Sequence, residues 1–134
     1  MTSDQGRPDL VTCVLRLAET LVMLAATADE QVAWCRRHRW SEDELALDFD
    51  WAKGWAVWSV DEQAPGLLSP SLHELLQRID DRLDGMSGEV NADKWTPEGL
   101  AADPGWAEVR CLAGQALAEV TKPGLVHIPA PEDL

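Results

Sequence analysis

The chain has 134 residues, a length typical of one domain with its own hydrophobic core. Its 24 acidic and 11 basic side chains give a formal net charge of −13, which repels nucleic-acid phosphates and anionic lipid headgroups. The aromatic residues are seven Trp and one Phe, with no Tyr, and Ala and Leu supply much of the remaining apolar content. This composition favours helices over strands and indicates a protein that binds neither nucleic acid nor membrane.

The three cysteines, Cys13, Cys35 and Cys111, are odd in number and widely spaced, so they cannot form a complete set of disulfides. Each lies among apolar neighbours, and we expect three buried thiols. The first ten residues lack the basic and apolar regions of a secretory signal, and polar side chains interrupt the apolar run from residue 10 to residue 28. The sequence therefore predicts a cytoplasmic protein without a membrane span.

The first helical pattern follows a short polar arm at residues 1–8. Asp9 can act as an N-cap for a stripe of apolar residues that begins at Leu10. Val32 and Cys35 extend this stripe, so the helix either runs to about Arg39 or breaks at Ala28-Asp29, with Asp29 as the second N-cap. We favour the break, because an unbroken run would be longer than an ordinary helix.

The stretch from Ser41 to Gln63 combines a large apolar content with the most acidic part of the chain. Its pattern Ser41-x-x-Glu44 is a capping box and predicts a helix start. On a helical wheel of about 100° per residue, the apolar residues fall into two stripes. The first stripe holds Leu45, Phe49, Ala52, Ala56 and Val60. The second, called the tryptophan stripe below, holds Leu47, Trp51, Trp55 and Trp58.

A helix with two apolar stripes either lies in the centre of its domain or exposes one stripe to a partner. We favour the central position, because tryptophan is usually well buried. Gly54 lowers the helix propensity by about 1 kcal/mol relative to Ala, and a break there would leave Trp55–Val60 as a short extended piece. Acidic side chains flank the tryptophan stripe. The candidate partner-binding residues are Asp48, Asp50, Trp51, Trp55, Trp58, Asp61 and Glu62.

Three later helices are predicted from Ser69-Pro70, Thr96-Pro97 and Asp103-Pro104, each an N-cap residue followed by proline. The first should end at Gly85, and the last should end at Lys122. Their apolar stripes are Leu72, Leu75, Leu76, Ile79 and Leu83, and Trp106, Val109, Ala113, Ala116, Leu117 and Val120. Residues 122–134 form a proline-rich tail, docked or mobile. The fold predicted for residues 1–134 is a single all-α domain, a bundle or orthogonal array of four to five helices.

Catalytic and cofactor patterns are missing from the sequence. Cys35-x-x-His38 has zinc-binding spacing, but no second pair of ligands accompanies it. His73 begins a pattern like that of a zinc protease, but Gln77 occupies the position of the required second histidine. The basic cluster Arg36-Arg37-His38-Arg39 suits a helix C-terminus, and an anion site is the less favoured alternative because no glycine-rich loop follows. The sequence predicts no metal, no cofactor and no enzymatic activity.

The segments DEQVAW, SEDELALDFD and RIDDRLDGMSG, together with the spaced Trp95 and Trp106 and the following EVR, carry a resemblance to known proteins. They resemble small acidic all-helical proteins of actinobacteria over much of residues 29–120. The resemblance implies an all-α fold and transfers no catalytic residue. By analogy alone, small acidic bacterial proteins of this size include immunity proteins and other inhibitors.

We therefore expect a non-enzymatic interaction protein, either immunity- or inhibitor-like or regulatory. Its acidic tryptophan stripe would bind a basic protein partner or a second copy of the chain. The alternative is a helical small-molecule-binding protein in which the tryptophans line an apolar pocket.

Overall fold

The computed structural model describes residues 9–134, and within this range all regular structure is helical, with no β-strand. The all-α prediction is confirmed for these residues, whereas the predicted arm at residues 1–8 lies outside them. Residues 9–134 contain seven α-helices, more than the four to five expected. They are α1 (Leu10–Ala25), α2 (Ala28–His38), α3 (Glu44–Trp51), α4 (Trp58–Gln63), α5 (Pro70–Gly85), α6 (Pro97–Ala102) and α7 (Pro104–Thr121). The described residues also contain a π-helical segment (Ala52–Val57) and two 3₁₀ segments (Glu89–Trp95 and Pro131–Asp133).

The break between α1 and α2 was predicted, but its cap is Thr27 and not Asp29. The Thr27 hydroxyl accepts a hydrogen bond from the Glu30 amide at 3.1 Å, and the Glu30 carboxylate accepts one from the Thr27 amide at 2.9 Å. This reciprocal capping box satisfies two backbone donors that the first turn of a helix leaves free. Thr27 can form it because a glutamate stands three residues later.

The helix predicted from Ser41 begins at Glu44 and passes through Gly54 without an extended piece. The predicted capping box at Ser41 is wrong: the segment before α3 is already turn-like, and no side chain caps the helix. The main-chain oxygen of Ser41 instead accepts from the Glu44 amide at 3.1 Å. The π segment joins α3 to α4 with wider helical turns, so the three elements form one continuous rod.

The core lies where α7 packs between α1 and α5, and α1 also packs against α3, the π segment and α4. The predicted stripes of α5 and α7 face this core, with Leu75 and Leu117 partly buried at its margin. Trp106 is fully buried, and its indole nitrogen donates to the Lys94 carbonyl at 2.8 Å. The predicted caps Ser69, Thr96 and Asp103 each accept a backbone hydrogen bond in the first turn of their helix.

A buried polar link joins four helices, α1, α2, α6 and α7, and was not predicted. Gln31, fully buried on α2, donates to the carbonyls of Met23 and Leu24 at 3.0 and 3.2 Å, near the end of α1. Its side-chain oxygen accepts from Arg110 of α7 at 3.1 Å, and Arg110 also donates to the Leu100 carbonyl. Burial lowers the pKa of Arg110 from its usual value. Polar side chains at these positions satisfy carbonyls that would otherwise be buried without partners.

The proline-rich tail is docked against the end of α2. Arg37 donates to the Pro131 carbonyl at 3.2 Å, and His38 Nε2 lies 2.7 Å from the main-chain oxygen of Leu134. The His38 ring stacks on Trp40 with 4.3 Å between ring centroids. The basic cluster thus completes a helix C-terminus and holds the tail, in agreement with its structural interpretation.

Candidate functional site

The two apolar stripes of the α3–α4 rod differ in solvent exposure. All five residues of the first stripe are buried, as predicted. In the tryptophan stripe, Leu47 is 59% exposed, Trp51 46% and Trp58 56%, while Trp55 is partly buried. The favoured central position of this helix is therefore wrong, because α1 covers only one side of the rod. Within the described residues, the other side is left as an exposed apolar surface.

The tryptophan stripe is partly ordered by its own contacts. The Trp51 and Trp55 rings stack with 4.7 Å between centroids and an angle of 23° between their planes. The Arg16 guanidinium of α1 lies 5.4 Å from the centre of the Trp51 ring, within the range of a cation–π contact. Arg16 also pairs with Glu19 at 3.3 Å. These contacts hold Trp51 and Trp55 in place, so less side-chain entropy would be lost when a partner binds there.

The predicted acidic residues surround this stripe, and most of them lack cationic partners. Asp50 and Glu62 are exposed, whereas Asp48 and Asp61 are partly buried. Asp61 lies 3.3 Å from His73, but no basic side chain of residues 9–134 pairs with Asp48, Asp50 or Glu62. The structure thus places the predicted carboxylates beside exposed indoles on one rod.

The basic residue within the rod, Lys53, is directed towards α5. Its ammonium lies 3.7 Å from the Asp80 carboxylate and 3.3 Å from the side-chain oxygen of Gln77. Because its charge is already matched by Asp80, Lys53 offsets little of the negative charge around the stripe. The rod therefore presents a surface that is both apolar and acidic.

A groove of about 540 Å³ lies at the Leu47 end of the stripe. It is lined by Ser41, Asp43, Ala46, Leu47, Ser87, Gly88, Ala92 and Trp95. Sequence patterns did not identify its far wall, because residues 86–95 have little periodicity. Trp95 is fixed there by a hydrogen bond from its indole nitrogen to the Met86 carbonyl at 2.7 Å and by an edge contact with Trp106.

A second groove, of about 360 Å³, lies at the Trp58 end, between the rod and α5. Trp58 and Asp61 contribute to its wall, together with His73 of α5, and Val57 and Leu76 contribute apolar surface. Two of the predicted partner-binding residues, Trp58 and Asp61, therefore meet in one concave feature.

The cysteines are not all buried, contrary to the prediction. Cys13 and Cys35 are buried, but Cys111 lies on an exposed side of α7, where its sulfur accepts from the Gln115 side chain at 3.4 Å. Burial, with further contributions from Glu42 and Glu44, raises the pKa of Cys35 to about 11. Cys35 is therefore protonated near neutral pH and is a poor nucleophile.

Across residues 9–134, no three His, Cys, Asp or Glu side chains are grouped closely enough to hold a metal ion. None of the helices in the same range combines the length and the apolar character that crossing a bilayer requires.

Comparison with known proteins gives no relative: no protein family, curated protein or solved structure matches this chain. The resemblance to small acidic actinobacterial proteins therefore stays a prediction. The function is inferred from the geometry and the charge of the tryptophan stripe.

Proposed function

We propose that this chain is a non-enzymatic protein-interaction module whose tryptophan stripe binds a basic protein partner. The observation that carries the proposal is the exposure of Leu47, Trp51 and Trp58 along one side of a single rod. Large apolar side chains grouped on a surface indicate an interaction site, and tryptophan is the residue most enriched at binding hot spots.

The charge around the stripe supports a basic partner rather than a second copy of the chain. In a symmetric dimer built on this face, the carboxylates of Asp48, Asp50 and Glu62 would meet the same carboxylates of the other copy. Like charges in contact oppose association, whereas a cationic surface would be attracted and its approach accelerated. An immunity- or inhibitor-like protein, or a regulatory subunit, would use such a face.

The local backbone also supports a functional role for the rod. The residues Ala52–Val57 form a π-helical segment in the middle of the stripe, between Trp51 and Trp58. π-Helical turns are rare and occur frequently at functional sites.

The alternative function, a small-molecule binder with a tryptophan-lined apolar pocket, is less well supported. Trp51 and Trp58 are each close to half exposed and point outward from the rod. A drug-sized ligand is usually surrounded on most sides by its pocket, which these side chains do not enclose. Quenching of tryptophan fluorescence by a specific small ligand at stoichiometric ratio would revive this alternative.

The proposal is tested by capture from an extract of the organism that encodes the chain, at low and high salt. We expect a basic protein to be retained at low salt and released at high salt, since exposed charge pairs are screened. One test variant replaces Leu47 and Trp58 by serine. A second test variant neutralises Asp48, Asp50, Asp61 and Glu62.

A matched control variant neutralises four exposed acids outside the stripe. These are Asp84, Glu98, Glu132 and Asp133. Both test variants should lose the partner, and the control should keep it. Retention of the same protein by all variants, or retention of none by the wild type at low salt, would overturn the proposal.

A further inference from the structure

The groove at the Trp58 end combines apolar, aromatic and acidic surfaces, and Lys53, His73 and Gln77 also line it. Val57 and Leu76 contribute aliphatic surface and are 7% and 1% exposed, so they lie at its base. The Trp58 indole, 56% exposed, stands at its wall. The Asp61 carboxylate lies one helical turn further along α4, beside the same groove. Apolar base, aromatic wall and carboxylate are brought together within about 360 Å³.

These surfaces match the parts of one kind of side chain. Lysine and arginine carry a long aliphatic stem that packs on apolar surface and a cationic head that remains in water. A tryptophan face attracts such a head through its π electrons, and a carboxylate attracts it through its charge. We propose that this groove is a socket for a single lysine or arginine side chain of the partner protein. This inference rests on the proposed function and names the group that the rod recognises.

The same rod already holds a cation in this manner. Arg16 of α1 lies over the Trp51 ring at 5.4 Å, on the tryptophan stripe that also contains Trp58. Trp51 is therefore occupied by a guanidinium from its own chain, whereas no cation–π contact involves Trp58 within residues 9–134. Trp58 is exposed, and the Asp61 carboxylate lines the same groove beside its indole ring.

The two basic side chains that line the groove, His73 and Lys53, each lie close to a carboxylate of the chain. His73 Nε2 lies 3.3 Å from Oδ1 of Asp61, so Oδ2 of that carboxylate has no ion-pair partner in the described part of the chain. Lys53 is engaged by Asp80 and Gln77. The free oxygen of Asp61 and the Trp58 face are the groups that an incoming cation would contact.

The socket is tested without the partner, with n-butylguanidinium as the probe and n-butylurea as its neutral control. The protein is labelled with 5-fluorotryptophan, and the Trp58 resonance is assigned from the Trp58→Phe variant. We expect the guanidinium to shift the Trp58 resonance saturably and to leave the buried Trp106 resonance unchanged. The urea compound should produce no saturable shift.

The matched variants are Asp61→Asn, in the socket, and Asp84→Asn, an exposed acid of α5 outside it. Loss of the Asp61 charge should weaken probe binding about threefold to tenfold, whereas Asp84→Asn should leave it unchanged. Equal weakening by both variants, or a shift that is linear in probe concentration at every exposed tryptophan, would overturn the socket.

The assay separates the two proposals because it requires no partner. Selective probe binding without capture of a basic protein would overturn the proposed function alone. Capture that is lost in the Leu47 and Trp58 double variant, but with no probe binding at Trp58, would overturn the socket alone.

Discussion

At the scale of single residues, Asp103 shows how one side chain can begin a helix and also tie that helix to a neighbouring segment. Its carboxylate accepts from the Gly105 amide at 2.8 Å as the N-cap of α7, and from the Lys94 ammonium at 2.7 Å. The hydrogen bond from Lys94, followed by that from Gly105, lowers the pKa of Asp103 from its usual value. The same contact raises the pKa of Lys94. This pair ties the Glu89–Trp95 segment, one wall of the 540 Å³ groove, to the start of α7.

The lowered pKa of Asp103 predicts a pH dependence of stability. A carboxylate with a folded-state pKa below its unfolded value of about 3.9 stabilises the fold above that value, and the contribution is lost as the pH falls. Asp103→Asn keeps an N-cap acceptor but removes the charge. Urea unfolding should therefore show Asp103→Asn to be less stable than the wild type at pH 7, with the difference shrinking below about pH 4.

Glu98→Gln is the matched control, because Glu98 is an exposed acid close to the start of α6 with no ion pair in the described residues. It should show a smaller difference at pH 7. A stability difference for Asp103→Asn that stays constant from pH 7 to pH 3 would show that the charge of Asp103 is not what stabilises the fold.

At the scale of elements, Gly54 and Gly99 both lie in helical segments, but only Gly99 has other atoms packed closely against it. A Cβ added at Gly54, in the π segment, would meet no atom within 4 Å. A Cβ added at Gly99, in α6, would overlap the carbonyl oxygens of Asp93 and Lys94. Gly99 is therefore required for the close approach of α6 to the Glu89–Trp95 segment, whereas Gly54 is not required by packing.

This contrast predicts opposite effects of the same substitution. Gly54→Ala should raise the free energy of unfolding by about 0.5–1 kcal/mol, because alanine loses less backbone entropy in a helix. Gly99→Ala should lower it by roughly 1–3 kcal/mol through overpacking. Chemical denaturation of the two variants measures both values. Destabilisation by Gly54→Ala would show that the π segment depends on a conformation that alanine resists.

The elements that the sequence predicted best are those with explicit caps and one apolar stripe. Ser69-Pro70 and Gly85 bound α5 as expected, and Asp103-Pro104 begins α7. The sequence predicts a capping box at Ser41 and Glu44, but the structure forms one at Thr27 and Glu30. The two pairs have the same spacing, and the fold decides at which of them a helix begins with free backbone N–H groups. A local pattern identifies a candidate cap, and tertiary structure selects among candidates.

The candidate site was also predicted only in part, because tertiary packing decides which residues of a local pattern are exposed. The helical wheel separated the two stripes correctly, but it could not show which would be covered, since that depends on where α1 packs. The far wall of the groove at Leu47 lies in an aperiodic segment, and the link from Gln31 to Arg110 joins residues 79 apart in sequence. Neither feature has a local sequence pattern.

At the scale of the whole molecule, net charge and the exposed stripe point to the same kind of partner. A formal charge of −13 gives a negative field around the protein, and the stripe supplies apolar anchors within it. A net charge of this kind chiefly raises the association rate and favours partners of opposite charge. Aromatic side chains that become buried in an interface supply most of the binding free energy. We therefore propose that a basic partner covers Trp51 and Trp58.

The most direct test is photo-cross-linking with p-benzoylphenylalanine placed at position 51, 58 or 90 in turn. Val90 is the control, because it is apolar and 89% exposed but lies outside the stripe. We predict that positions 51 and 58 cross-link one and the same basic protein in an extract at low salt, and that position 90 does not. Equal cross-linking from all three positions, or a partner captured only through position 90, would contradict the assignment of the tryptophan stripe as the binding surface.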